Sequence, residues 1–149
     1  MYAILRESLE LVRQFHAAMN APISSRPTLL DCNKSAAASL AEHINTLVTK
    51  TISNTSNDDV LLLRATLALE ELAEWLTAHS QQDLVAAADA WADRAFILIG
   101  DAVASGLPVA DLFAEVHRSN MTKEACVAGS GKAVKGNLYQ PPSLSSLLK

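Results

Sequence analysis

Residues 60–105 read VLLLRATLALEELAEWLTAHSQQDLVAAADAWADRAFILIGDAVAS, an alanine- and leucine-rich stretch interrupted by two acidic runs. The first run is Glu70, Glu71 and Glu74 in EELAEW, and the second is Asp89 and Asp93 in DAWAD. At about 100° of turn per residue, the steps from Glu70 to Glu74 and from Asp89 to Asp93 each advance one whole turn plus about 40°. Each run therefore lines up its acids on one helical face. Two such faces brought together gather like charges at close range, which a fold tolerates only if a cation neutralises them or the acids stay protonated. All-oxygen carboxylate ligation suits Mg²⁺ or Mn²⁺, so Glu70, Glu71, Glu74, Asp89 and Asp93 are the candidate metal ligands. A lone EExxE run reads more readily as a solvated helix face. The second run argues against that reading, because LVAAADAWADRAFILIG offers little polar face for its acids to belong to.

Outward from this stretch, composition bounds the class. A chain of 149 residues reads as one domain, long enough to bury a core and too short for a second. Half of its residues are apolar and 5% are aromatic, which suits a helical protein better than a sheet, and strand-like alternation is absent. A net charge of -4 with no Lys/Arg cluster argues against nucleic-acid binding. Cys32 and Cys126 lie far apart without CxxC spacing, so neither a disulfide framework nor a zinc site is indicated, and a cytoplasmic location with reduced thiols is expected. Arg6, Glu7 and Glu10 interrupt what a signal peptide would keep apolar, and no stretch approaches a membrane span, so no membrane partner is expected. The Asn54-Thr55-Ser56 pattern is then chance.

Helical spacing of apolar residues predicts a first helix over 3–19, ended by Asn20-Ala21-Pro22, and a second over 35–49, broken by SNTSNDD. Asn57-Asp58-Asp59 supplies N-cap chemistry for a helix over 60–78. Asp83 opens another to Ser105, where Gly106 and Pro108 end it. VADLFAEVHRSN forms a short amphipathic helix, and beyond Lys123 a loop with a final turn from Ser143 is expected.

Read in order, QFHAAMNAPISSRPTLLD, LRATLALEELAEW, DAWADRAFILIGDAVASGLPVADLFAEVHRSNMTK and GKAVKGNLYQPP resemble the all-α nucleoside triphosphate pyrophosphatase superfamily. Within it, the MazG-like and phosphoribosyl-ATP pyrophosphohydrolase-like branch is most similar, over most of the chain. The resemblance implies an all-α MazG-like bundle over residues 1–149, assembled as an intertwined dimer or dimer of dimers. It further implies Mg²⁺-dependent cleavage of a nucleoside triphosphate to monophosphate and pyrophosphate. Two departures stand out. The superfamily's ExxD would require an acid at position 90, where this chain has Ala90, with Asp89 one residue earlier in the DAxAD form; and residues 32–57 look like an insertion before the acidic helix.

The smaller motifs are weighed beside the resemblance. Asn120 can offer a bidentate amide to a base or sugar and Lys123 a point charge to phosphate, or both can serve as ordinary helix-end residues. Lys132 and Lys135, in the loop-rich tail 124–149, can close over a triphosphate or be solvated. Arg64, on roughly the face of Glu71, can reach a phosphate or form a structural salt bridge. GSGK is no phosphate loop, since Cys126 and Ala133 stand where Gly and Ser/Thr belong. His16, His43, His79 and His117 share no metal spacing, and Trp75 and Trp91 read as core or dimer-interface residues rather than base-stacking platforms. Glu70 is assigned as general base, because a carboxylate flanked by like charges gains affinity for protons. The expected function is a Mg²⁺- or Mn²⁺-dependent nucleotide pyrophosphohydrolase, with a nucleotide-binding regulator and a helical interaction protein as rivals.

Overall fold

The computed structural model describes residues 2–54, 58–125 and 132–149. The sequence readings that involve Thr55, Ser56, Asn57 and Cys126 lie outside the described residues. Five α-helices are described: α1 (Tyr2–Ala18), α2 (Lys34–Asn54), α3 (Val60–Gln81), α4 (Leu84–Ser105) and α5 (Val109–Asn120). Among the described residues the only β-type pairing is an isolated antiparallel bridge between Glu124 and Val134, so the protein is all-α as expected. The helices fall into two compact units, one spanning Arg26–Ser105 and the other Met1–Ser25 with Gly106–Lys149.

In the first unit, α3 packs against both α2 and α4. Ala41, Ile44 and Val48 of α2 meet Ala73 of α3 in the core, and Leu69, Leu72 and Leu76 close around them. The stretch 32–57, expected as an insertion, thus supplies a helix that gives the unit its core. That helix runs beyond the expected Thr49 to Asn54. Its Thr and Ser residues do not break it, because Thr46, Thr49, Thr51 and Ser53 donate their hydroxyls to the carbonyls one turn back, at 2.8–3.0 Å.

Capping sets the ends of α3 and α4. The Asp59 carboxylate accepts the Leu62 N–H at 2.9 Å, as its cap chemistry implied. The helix passes the expected Ala78 to Gln81 because Gln82, at φ 62°, takes the left-handed position usually filled by glycine. Two backbone bonds, Gln82 N–H to His79 O and Asp83 N–H to Ala78 O, close that end. Asp83 then accepts from the Val85 and Ala86 N–H groups, both at 3.0 Å, and starts α4. At the far end of the pair, Arg64 reaches from α3 to Asp101 and to the Ile97 carbonyl, both at 2.6 Å. Gly100 permits this approach, since a Cβ there would collide with the Arg64 guanidinium.

In the second unit, α1 packs on α5 and the C-terminal segment returns to the end of α5. The buried Ser119 donates its hydroxyl to Gln140 O at 2.7 Å, and the Gln140 N–H donates to Thr122 Oγ1 at 2.8 Å. Arg118 grips Glu115 through Nε and Nη2 and Gln140 through Nη1, and Glu115 accepts the Ser143 N–H at 2.6 Å. Residues 132–149 therefore form an anchored strap rather than a free loop.

Candidate active site

Contacts from Arg64 to Asp101 and from Arg94 to Trp75 show that α3 and α4 run antiparallel across the short turn at Gln82 and Asp83. This hairpin carries both acidic runs. Its focus is Glu71, half-buried, whose Oε2 is enclosed and has no hydrogen-bond partner. Burial raises its pKa above 4.5, and the charges of Glu74, Asp93, Glu70 and Asp89 raise it further, in that order. Every acid picked out by spacing thus acts on one buried carboxylate, across two helices. Glu71 directly follows Glu70, the residue expected as general base. The next residue on a helix is turned by about 100°, and here that turn carries Glu71 toward the acids of α4.

Among the described residues no group of three or more His, Cys, Asp or Glu side chains is placed to hold a metal ion. The donor set itself fits a hard divalent ion: all oxygen, with one enclosed acceptor in need of a positive partner. Ala90, where the superfamily pattern requires an acid, is 3% exposed and sits with Ala87 in the buried stripe of α4. A carboxylate at that position would be buried. Asp89, one residue earlier, is exposed and contributes to the field at Glu71.

Arg64, weighed as a phosphate ligand, forms the structural bridge of the α3–α4 seam. The remaining expected substrate residues, Asn120, Lys123, Lys132 and Lys135, belong to the other unit. Asn120 ends α5 and its carbonyl accepts the Lys123 N–H at 3.0 Å, and Lys135 places its Nζ 4.9 Å from the centre of the Tyr139 ring. Trp75 is half-buried beneath Arg94 and beside His79, whereas Trp91 is exposed and contributes nothing to the core of its unit. The Arg94 and Trp75 pair escaped sequence reasoning. Arg94 follows Asp93 directly and reads as helix decoration, and stacking between two helices leaves no trace in spacing.

The α3–α4 hairpin thus carries acids from two helices whose charges converge on one enclosed carboxylate. The profile of the phosphoribosyl-ATP pyrophosphohydrolase family matches residues 37–120, more than half of the chain, and the chain belongs to that family. The match starts within α2 and ends with α5. The protein is a hydrolase acting on phosphoanhydride bonds, in a family typically dependent on divalent metal. No curated protein and no solved structure is significantly similar to it.

Proposed function

We propose that the protein is a Mg²⁺-dependent nucleoside triphosphate pyrophosphohydrolase, with Mn²⁺ as an alternative ion, releasing a monophosphate and pyrophosphate from a canonical or modified nucleotide. The observation that carries this reading is the enclosed, unpartnered Glu71 Oε2 in the field of four further carboxylates. A buried acceptor in such a field calls for a positive partner, which a metal ion or a proton supplies. Glu71, Glu74, Asp89 and Asp93 would hold the ion, with Glu70 at the edge of the set. When bound, the ion neutralises phosphate oxygens and lowers the pKa of an attacking water. Glu70, half-buried one residue before Glu71, would act as the general base toward an attacking water. Asn120, by its amide, and Lys123, Lys132 and Lys135, by their charge, stay candidates for base, sugar and phosphate contacts on the strength of the sequence alone.

A homodimer, or a tetramer built from it, belongs to the same reading. Exposed apolar side chains crowd α4, with Phe96 80% and Val103 79% accessible, more apolar surface than a helix in water ordinarily carries. A second copy of the chain covers that surface. The deciding experiment is pyrophosphate release from a panel of canonical and modified nucleoside triphosphates with Mg²⁺ or Mn²⁺. Release from at least one is expected, and none from any of them sinks the reading. Metal-dependent nucleotide binding without cleavage would identify a regulator instead.

A further inference from the structure

Arg94 projects from α4 over the ring of Trp75 on α3, its guanidinium carbon 4.7 Å from the ring centroid. That ring is held in place by His79, whose ring lies 4.5 Å away, centroid to centroid, and tilted by 60°. His79 is 5% exposed, and its Nδ1 lies 2.8 Å from the Trp75 carbonyl. Among the described residues Arg94 makes no hydrogen bond and no ion pair. That is unexpected for an arginine next to Asp93 and one turn and a fraction beyond Asp89. Stacking accounts for it: a guanidinium lying on an aromatic face uses its own face and leaves its N–H edge free.

A triphosphate adds several negative charges to a site already lined by carboxylates, and one divalent ion does not balance both. The α3–α4 hairpin carries three basic side chains, Arg64, His79 and Arg94. Arg64 is committed to Asp101 and the Ile97 carbonyl. His79 is buried against Trp75. Arg94 keeps its donors. On the helical wheel it lies about 100° from Asp93, as Trp75 lies about 100° from Glu74, so the stacked pair stands beside the acids and not among them.

We propose that Arg94, held over Trp75, receives a phosphate of the nucleotide's polyphosphate chain beside the metal-binding acids, and that Trp75 is its positioning residue. The inference rests on the hydrolase reading above. A guanidinium fork matches two phosphate oxygens at once, and a fork already fixed by stacking loses little freedom on binding them.

The test uses the full chain with Mn²⁺ and inorganic tripolyphosphate, which presents three linked phosphates without base or sugar, followed by calorimetry. The parent is expected to bind tripolyphosphate with Mn²⁺. Arg94→Gln should weaken that binding by about tenfold or more. It should bind Mn²⁺ alone as tightly as the parent or more tightly, since a positive charge beside the cation has been removed. Arg94→Lys should recover part of the loss, keeping the charge without the fork. Trp75→Leu should weaken tripolyphosphate binding with Mn²⁺ affinity retained, and in turnover it should raise KM more than it lowers kcat. Equal tripolyphosphate affinity in parent and Arg94→Gln overturns the proposal and leaves the hydrolase reading standing. Loss of Mn²⁺ binding in both Arg94 variants also overturns it, because the arginine would then only hold the acidic helices together. If Arg94→Gln fails to fold, Arg94→Lys decides alone: weakened tripolyphosphate binding with intact Mn²⁺ binding supports the proposal, and unchanged binding overturns it. A parent that binds neither Mn²⁺ nor tripolyphosphate removes the metal-dependent triphosphate reading, and this inference with it.

Discussion

Glu71 has opposite consequences with and without a cation. In the metal-free protein its enclosed Oε2 is unsatisfied and four acids press on it, so Glu71→Gln relieves repulsion. The metal-free variant should be more stable by about 1 kcal/mol and melt about 2–4 °C higher, while losing the response to Mn²⁺. A variant that melts lower and still responds to Mn²⁺ would contradict the placement of this side chain. Glu74→Gln and Asp93→Asn should each lower turnover by roughly a hundredfold, about 3 kcal/mol of lost transition-state stabilisation, with helicity unchanged by circular dichroism. Glu70→Gln should lose turnover with Mn²⁺ affinity retained, which separates base from ligand; activity within about twofold of the parent in all three would remove the site. These acids stand out in the sequence because they interrupt apolar helices at one-turn spacing, while the structure leaves Glu74, Asp89 and Asp93 exposed and only Glu70 and Glu71 half-buried. What Ala90 does is not legible there. Its burial depends on which face of α4 meets α3, and that is settled by packing rather than by spacing.

Each of the five helices was legible from apolar periodicity and caps, and the errors fell at ends governed by side chains with two habits. SNTSNDD reads as a breaker from Ser53, but the Ser53 hydroxyl bonds back within α2, and Gln82 fills a glycine's position at the end of α3. The C-terminal strap was the larger surprise, since its hold on α5 depends on pairs far apart in sequence, such as Ser119 with Gln140 and Glu115 with Ser143. Glu115 makes that hold sensitive to acid. The Arg118 guanidinium first, and then the Ser143 N–H, lower its carboxyl from 4.5 to about 2. A carboxyl depressed by folding stabilises fully above its unfolded value and progressively less as pH falls from 4.5 toward about 2. The protection of the Ser143 amide, its exchange rate relative to an unfolded chain at the same pH, should therefore be greatest at neutral pH and fall across that interval. Glu115→Gln should expose the same amide at neutral pH; equal protection in the variant would show that Ser119 and Gln140 hold the strap without it.

For the whole molecule, two features remain unbalanced in a single metal-free chain: exposed apolar surface on α4 and gathered charge in the α3–α4 hairpin. If a second copy covers the apolar surface, Phe96→Glu should shift the sedimentation coefficient toward that of one chain, with helicity retained in each chain. An unchanged coefficient would place the interface elsewhere. The charge answers to a cation in a similar way, because an ion that binds only the folded protein stabilises it by RT ln(1 + [L]/Kd). At a hundredfold excess over Kd this amounts to about 2.7 kcal/mol, which for a chain of this length raises the melting temperature by roughly 5–10 °C. Solvated surface acids would give almost none of that rise. A melt in millimolar Mn²⁺ or Mg²⁺ against one in chelator, with monovalent salt at matched ionic strength, separates binding from simple screening. A rise that disappears in Asp93→Asn confirms α4 as half of the site; coincident melts would mean that the acids of α3 and α4 hold no ion at those concentrations, and would leave the enclosed Glu71 carboxyl to be satisfied by a proton.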